Sequence, residues 1–412
     1  MVAIASFCCS AVSGQSSRIL DPWKTTEARQ FDFWIGKWDV NLRMIQKDLS
    51  WRDSVKATVE IYPILDGKAI LELWDSKPIK GFSLRYYDPS EKKWILYLNW
   101  PNRHQSSIGS LKGTFRHGRG EFFSTSRGVI SRYSFSDITA NSLRWDDAFS
   151  RDGGKTWTHN WIMEFSRTGK TATFPAGDRA HTFADGSRCP SENARVLNSL
   201  GGKWKGKLTF GAGEKRQSVD ATLRVYNVLG GCSVIQFLEY NRDGKIHREF
   251  GLVTYNPQAK RYEELWLNNQ AGSVAEVYRG DLKDQTLALT ARHKTNSREI
   301  LKRHQWMLPK KDSNQLRLVV SSKTTDDWEQ SAKGKFLRSE SVKPADKTEK
   351  KLAINRVCPR SGKPVAADSL TRYREVTVGF CNQHCRDDFA ANVESRSKDR
   401  AFFDKLIDAK KQ

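Results

Sequence analysis

The feature of this sequence that most constrains its fold is an internal repeat between residues 27 and 338. Each copy opens on a Gly-x-Trp step and closes on a Trp-x7-Phe-x-Arg pattern, and further landmarks lie between them in the same order. The matched positions are Gly36-Lys-Trp38 with Gly202-Lys-Trp204, Tyr62-Pro-Ile-Leu65 with Tyr226-Asn-Val-Leu229, Asp88-Pro89 with Asn256-Pro257, and Arg167 with Arg338. Ordered self-similarity indicates a duplicated structural unit, so we predict two tandem domains of one fold.

The local pattern inside each copy indicates short strands joined by tight turns. Residues 69–74, 94–100 and 234–240 are runs rich in apolar and β-forming side chains. Asp66-Gly67 and Asp243-Gly244 are typical of turns, and helical periodicity is scarce before residue 380. Because many short strands hide their edges by closing into a barrel, we predict a mainly β fold. It consists of two antiparallel β-barrels in tandem, followed by a small α+β module.

The opening of the first copy resembles a known kind of barrel. The string Phe31-Asp-Phe-Trp-Ile-Gly-Lys-Trp-Asp-Val40 is similar to that of an uncharacterised bacterial family of lipocalin-like (calycin) domains. In such domains the Trp of the Gly-x-Trp step closes one end of the barrel. The second copy resembles it more loosely, since Leu200-Gly-Gly202 replaces the Trp-Ile-Gly step. The resemblance implies two lipocalin-like barrels that can enclose a cavity.

Tryptophan is abundant in the predicted barrels, with 14 in the whole chain. Large aromatic side chains line many pockets for small apolar ligands. The candidates for binding such a ligand are Trp74, Trp100, Trp161 and Trp266. Packing in the core, or at an interface between the two barrels, is the alternative role for each.

The last sixty residues carry a C-x22-C-x3-C array formed by Cys358, Cys381 and Cys385. A C-x3-C step at the start of a helix puts two sulfurs on one face, one turn apart. Thiolates in this arrangement suit a soft or borderline metal ion. The alternatives are three packed, reduced cysteines or a disulfide between Cys381 and Cys385.

The same segment resembles the TRASH/YHS family of small metal-binding modules. The matching positions are Cys358, Gly362, Phe380, Cys381, Cys385 and Phe389. The resemblance implies one bound ion, zinc or copper, held by the three cysteines. His384 is the preferred candidate for a fourth ligand, with Asp388, a water molecule or a partner residue as alternatives. We expect Arg360, Lys363 and Arg386 to favour the thiolate forms.

The chain carries a net charge of +22. Such a charge favours contact with polyanions such as nucleic acid, whereas Lys and Arg spread along the whole length favour a role in solubility. No apolar run approaches the ~18 residues of a membrane-spanning helix.

The N-terminus has a short apolar stretch followed by an Ala11-Val-Ser13 step, which resembles the end of a secretory signal without its basic region. We therefore predict a periplasmic or secreted protein, with the cytoplasm as the alternative. In an exported protein Cys189 and Cys232 can pair. Reactive metal-binding thiols are prone to oxidation there, so the two expectations are in tension.

Motifs for catalysis are weak, so a non-enzymatic binding protein is the leading hypothesis. The rival is an enzyme, glycosidase-like or another hydrolase, with its active site in a barrel cavity. Candidate inward carboxylates are Glu72, Glu239 and Glu276, and candidate haem ligands, although haem is not favoured, are His104, His159 and His304. Residues 150–157 match the Asp-box pattern of sialidases, which we interpret as a structural hairpin turn.

These observations predict six segments. They are a signal-like or disordered N-terminus (1–26), the first barrel (27–169), a linker (170–195), the second barrel (196–338), a charged linker (339–353) and the metal-binding module (354–408).

Overall fold

The computed structural model describes most of the chain. The described residues are 24–46, 48–75, 80–101, 107–172, 174, 189–211, 214, 216–294, 298–310, 313–324, 327–339, 353–366, 369–374 and 376–409. The signal-like segment up to residue 23 and the charged linker from 340 to 352 lie outside them. The chain divides into two compact units, Met1–Ser341 and Val342–Gln412. No helix within the described ranges combines the length and apolar character that crossing a bilayer requires.

The first ten strands form a closed antiparallel barrel in which neighbours in sequence are neighbours in the sheet, and β1 pairs with β10. The strands are β1 (Gly36–Ile45), β2 (Trp51–Ile64), β3 (Ala69–Asp75), β4 (Lys80–Asp88), β5 (Lys93–Asn99), β6 (Gly109–Arg116), β7 (Arg119–Ser126), β8 (Val129–Ser136), β9 (Ser142–Ser150) and β10 (Thr158–Gly169).

Helix α1 (Glu192–Val196) leads into a second closed barrel of the same topology. Its strands are β11 (Gly202–Phe210), β12 (Gln217–Val228), β13 (Ser233–Arg242), β14 (Lys245–Asn256), β15 (Arg261–Asn268), β16 (Glu276–Lys283), β17 (Thr286–Lys294), β18 (Glu299–Met307), β19 (Gln315–Lys323) and β20 (Glu329–Arg338). The predicted fold class, mainly β with two tandem antiparallel barrels, is confirmed.

The repeated Trp and Arg landmarks close both barrels in the same way. The guanidinium carbon of Arg167 lies 3.9 Å from the ring centroid of Trp38, and that of Arg338 lies 4.1 Å from that of Trp204. Each of these indoles donates to the backbone carbonyl four residues earlier at 2.8 Å. The end of each chain repeat is thereby fixed to its beginning, where the first and last strands pair.

The Asp-box is a turn, as predicted. The carboxylate of Asp152 accepts hydrogen bonds from the backbone N–H groups of Lys155 and Thr156, both at 3.0 Å. The following Trp157 packs against Arg132, whose guanidinium carbon is 4.2 Å from the ring centroid. These contacts account for the motif by the structure of one hairpin.

The two barrels share one apolar core within the first unit. The first barrel contributes Tyr62, Leu71, Leu84 and Tyr86, the second contributes Tyr226, Ile235, Leu252 and Leu265, and the predicted linker contributes Ala172 and Phe174. Strand β4 is buried along nearly its whole length, because Leu84 and Tyr86 face the second barrel while Arg85 lines a cavity inside the first. None of the four tryptophans predicted to bind a ligand belongs to this shared core.

Polar and covalent contacts reinforce this interface. The Lys68 ammonium, on the first barrel, donates to carbonyl oxygens of the connection between β15 and β16. Arg248 of β14 bonds the carboxylate of Asp66 at 2.5 Å. Cys189 and Cys232, whose pairing the sequence left open, form a disulfide, which ties the end of the linker to the start of β13.

The C-terminal module is a hairpin with two helices. It consists of β21 (Leu370–Tyr373), β22 (Val376–Gly379), α2 (Gln383–Ala391) and α3 (Ser397–Ala409). Phe380, Phe389 and Phe403 are fully buried in its small core, and the rings of Phe380 and Phe389 lie 5.3 Å apart. The phenylalanines that flank the cysteine pair therefore hold the hairpin against both helices.

Candidate metal centre and barrel cavity

Three cysteines converge in the C-terminal module, as the spacing predicts. The sulfur atoms of Cys358, Cys381 and Cys385 all lie within 4.8 Å of one another. Cys358 is buried and the other two are half-buried. A Zn–S bond is ~2.3 Å long, so one ion bonds sulfurs that are roughly 4 Å apart. The arrangement therefore fits a single metal ion after small side-chain adjustments.

Local backbone structure fixes each sulfur. The Cys358 carbonyl accepts from the N–H of Gly362 at 2.9 Å, in a tight turn where Gly362 has φ 67°, a conformation that favours glycine. Cys381 directly follows β22. Asn382 then caps α2 by accepting from the N–H of Cys385 at 2.9 Å, which places Cys385 in the first helical turn.

The thiols of Cys358 and Cys385 differ in acidity. Burial raises the pKa of Cys358, but hydrogen bonds from backbone N–H groups outweigh it and lower the pKa to about 7. Burial and the neighbouring thiols raise the pKa of Cys385. The Ser361 hydroxyl donates to the sulfur of Cys381 at 3.1 Å. The Cys358 thiolate therefore forms easily, but its negative charge opposes ionisation of the neighbouring Cys385 thiol. A bound cation relieves this repulsion.

Two of the three predicted cationic side chains, Arg360 and Arg386, are already engaged in ion pairs. Arg360 contacts Asp388 at 2.6 Å and Asp399 at 2.7 Å, and Arg386 contacts Asp387 at 2.7 Å. Backbone dipoles therefore contribute more to the acidity of Cys358 than these side chains do. The expected effect of positive side chains is present at Cys385, where the charge of Arg360 opposes the rise in pKa.

The two residues weighed as fourth ligands differ in availability. Asp388 is held by Arg360 at 2.6 Å and by Arg396 at 2.5 Å, and these arginines lower its pKa to about 2. It is committed to ion pairs on both oxygens. His384 is exposed on α2 and lies outside the group of three sulfurs. His384 therefore stays a prediction, and Asp388 is a poor candidate.

The interior of the first barrel contains a cavity of about 40 Å³. Two of the predicted tryptophans, Trp74 and Trp100, line it. Its polar part is a network in which Glu72 accepts from the Ser83 hydroxyl at 2.5 Å and from Arg85 at 3.1 Å. Sequence inspection singled out Glu72 as an inward carboxylate but missed the arginine that neutralises it.

Two hydrogen-bond donors at this cavity are unsatisfied. Among the described residues, neither Arg85 Nε nor Trp34 Nε1 has a hydrogen-bond partner. Both side chains are buried, at 4% and 1% exposure, and both line the cavity. The guanidinium carbon of Arg85 lies 4.6 Å from the ring centroid of Trp34. Two side chains of the cavity wall therefore each carry a buried donor that lacks an acceptor.

The other two predicted tryptophans lie elsewhere. Trp161 packs edge-on against Trp100 and Trp145, with ring centroids 5.7 Å apart in each pair, behind the cavity wall. Trp266 belongs to the second barrel, where its Nε1 donates to Glu249 at 2.8 Å. The four candidates therefore do not form one site.

The remaining polar candidates are paired with neighbours. Glu239 bonds Arg248 at 2.8 Å, and Glu276 bonds Lys302 at 2.8 Å. His159 and His304 each hydrogen-bond a carboxylate through Nδ1, at 2.6 and 2.7 Å. They lie on β10 and β18, so the repeat does not superpose them, as predicted. His104 lies outside the described residues.

Comparisons with known proteins give one matching family model and distant likenesses among solved structures. A family model described as "Protein of unknown function (DUF1579)" matches residues 189–338. A solved protein of unknown function from the DUF3598 family of Nostoc punctiforme PCC 73102 is 11% identical over 76% of this chain and 100% of that chain, with a TM-score of 0.19. Kievitone hydratase from Nectria haematococca is 9% identical over 78% and 92%, with a TM-score of 0.14. TM-scores this low support no conclusion about the function of this chain. No curated protein matches the chain.

Proposed function

We propose that the C-terminal module binds one zinc or copper ion through the thiolates of Cys358, Cys381 and Cys385. The observation that carries the proposal is the convergence of these sulfurs within 4.8 Å. Sulfur ligands select soft and borderline ions such as Cu(I) and zinc over hard ions. The TRASH/YHS-like spacing of the cysteines supports the same chemistry.

His384 is proposed as the fourth ligand, reached by rotation of its exposed side chain on α2. Loss of a ligand or of a group that supports one typically costs ~10-fold or more in metal affinity. We therefore expect His384→Ala to bind the ion at least about tenfold more weakly. An unchanged affinity would assign the fourth position to solvent or to a partner molecule.

The test of this site is metal content, measured by mass spectrometry on untagged protein after loading with Zn(II) or, under reducing conditions, Cu(I). We expect about one ion per chain in the unaltered protein and none in Cys381→Ser/Cys385→Ser. Glu394→Gln, an exposed change in the same module, is the matched control and should retain the ion. Absence of metal from reduced protein offered both ions would overturn the proposal.

We also propose that the first barrel binds a small molecule. The observation that favours this second function is the interior cavity of about 40 Å³ beside Trp74 and Trp100. Such a volume suits a small ligand or one end of a larger one. Saturable binding of a small neutral aromatic compound, at one per chain by calorimetry, would support it, and a lack of saturable binding would count against it.

We propose in addition that the protein works outside the cytoplasm. The disulfide between Cys189 and Cys232 supports this, because such bonds persist in oxidising compartments. A bound ion would also protect the three metal-binding thiols from oxidation. Alkylation of rapidly denatured cells should leave Cys189 and Cys232 unlabelled, whereas full labelling of this pair would indicate a reducing compartment.

A further inference from the structure

We infer that the cavity of the first barrel is specific for a flat, neutral group that carries a carbonyl oxygen. This inference rests on the proposed binding function of that barrel and names the class of its ligand. It replaces the purely apolar ligand expected from the tryptophans alone. The observations that carry it are the unsatisfied donors, the charge balance, the aromatic wall and a comparison between the two barrels.

The donors define the chemistry of the ligand. Arg85 Nε and Trp34 Nε1 are buried without a hydrogen-bond partner among the described residues. Buried polar groups in folded proteins are nearly always satisfied by protein or ordered water. Both nitrogen atoms are covered by neighbouring atoms, so a ligand acceptor atom reaches them after a small side-chain shift, whereas a hydrocarbon cannot satisfy them at all. The cavity should therefore prefer an oxygen acceptor.

The charge balance defines the charge of the ligand. Glu72 and Arg85 form a buried ion pair at 3.1 Å, with side chains 9% and 5% exposed. The guanidinium charge is therefore already compensated. A carboxylate ligand would bring an uncompensated negative charge into a buried site, which is strongly unfavourable. A neutral carbonyl uses the same donor without that penalty.

The wall defines the shape. Indole rings of Trp74, Trp100 and Trp145 border the cavity, and flat groups pack well against such rings. The volume of about 40 Å³ corresponds to roughly three water molecules. Trp100 and Leu98 are half-buried, so this part of the wall lies next to solvent. The cavity thus admits a small planar group or the end of a longer ligand.

The second barrel carries different residues at the positions that correspond to this cavity. Strand pairing aligns the row Glu72, Ser83 and Leu98 of the first barrel with Gln236, Gly251 and Trp266 of the second. In the second barrel the indole of Trp266 occupies the space beside Gly251, 2.5 Å from where a Cβ would lie.

Both unsatisfied donors of the first barrel are also replaced in the second. Strand register places Val253 at the position of Arg85, and the repeat places Leu200 at the position of Trp34. An apolar residue therefore stands at each position. The two donors beside the cavity of the first barrel therefore have apolar counterparts in the second barrel, where a different buried donor, Gln236 Nε2, lacks a partner among the described residues.

The experiment compares two ligands of nearly equal shape, acetophenone and α-methylstyrene, in which C=O replaces C=CH₂. Calorimetry on the metal-loaded, full-length protein should show acetophenone binding at least about tenfold more tightly. In Trp34→Phe this ratio should fall to about threefold or less. Trp328→Phe, in the second barrel, is the matched control and should keep the full ratio.

A second variant keeps the test independent of Trp34. Ser83→Gly/Leu98→Trp copies two of the three row positions of the second barrel into the first and should remove binding of both compounds while thermal unfolding remains cooperative. Equal affinity of the two compounds for the unaltered protein would overturn the carbonyl inference and leave barrel binding intact. Binding of neither compound would overturn both.

Discussion

The buried ammonium of Lys68, in the first barrel, donates a hydrogen bond to the carbonyl oxygen of Asn268, in the second barrel, at 2.9 Å. It also donates to the carbonyls of Gln270 and Ser273 at 2.9 and 2.8 Å. An ammonium group has three donors, so these three carbonyls match its hydrogen-bonding capacity. One side chain thereby shapes the connection between β15 and β16 and fixes it to the first barrel.

Replacement of Lys68 by Met should destabilise the protein. The change leaves three carbonyl groups without this donor at a site that is 3% exposed. We expect a loss of about 2–4 kcal/mol in the free energy of unfolding, measured by urea denaturation. The exposed change Lys335→Met should cost less than about 0.5 kcal/mol. Equal stability of the two variants would contradict the structural role of Lys68.

Arg167 and Arg338 should contribute similarly to stability. Arg167 stacks on Trp38 and donates to the Ile35 carbonyl at 2.7 Å. Arg338 stacks on Trp204 and donates to the Ser199 carbonyl, which precedes β11, at 2.7 Å. We expect Arg167→Met and Arg338→Met each to lose about 2–3 kcal/mol in denaturant titrations.

Arg116→Met, at an exposed position of β6, is the control for these two variants and should be near neutral. A large loss in only one of the two barrels would show that the repeated contact has different roles in its two copies.

The disulfide should stabilise the first unit through the unfolded state. Cys189 and Cys232 are 43 residues apart, and closing a loop of that length in the unfolded chain corresponds to about 4 kcal/mol at most. We expect Cys189→Ser/Cys232→Ser to lose about 2–4 kcal/mol in urea titrations. Metal content should stay the same in this variant, because the pair lies outside the metal-binding module. A loss of metal would show that the metal site depends on the disulfide, contrary to this prediction.

Asp147 should make stability depend on pH. Burial raises the pKa of this carboxyl to about 6, above its value in an unfolded chain. Between pH 4 and pH 6 the folded protein therefore binds more protons than the unfolded one, so this group makes stability fall as pH rises.

Asp147→Asn should remove this fall and gain about 1–2 kcal/mol at pH 7 relative to pH 4. The amide oxygen can still accept from Asn160, which donates to Asp147 at 2.7 Å. Asp220→Asn, at a side chain that is 88% exposed, should leave the pH profile unchanged. Parallel pH profiles of unaltered and Asp147→Asn protein would refute the prediction.

The repeat and the cysteine spacing were enough to predict the barrels and the sulfur cluster. Trp38 with Arg167, and Trp204 with Arg338, form the same contact twice, so their matching positions reflected a physical constraint at each barrel closure. The convergence of the three cysteines was equally predictable, because a tight turn and the start of a helix determine where their sulfur atoms point.

The polar network in the first barrel was harder to predict. In β4, alternation puts Arg85 on the face opposite Leu84 and Tyr86 but does not tell which face lies inside the barrel. In the structure Arg85 lines the cavity, because the apolar face of β4 packs on the second barrel. A single sequence does not show that a strand has a second buried face, so Arg85 was not recognised as a cavity residue.

The shared core has a consequence for the history and handling of this chain. After a duplication the two copies can usually still fold separately. Here, however, an outer face of each barrel is buried against the other barrel. A fragment containing one barrel would expose Tyr62, Leu71 and Leu84, or their counterparts in the second copy, as a sticky sheet surface. The pair of barrels is therefore the smallest part of this region that we expect to fold and stay soluble. Recombination that separates the two barrels should yield two insoluble fragments.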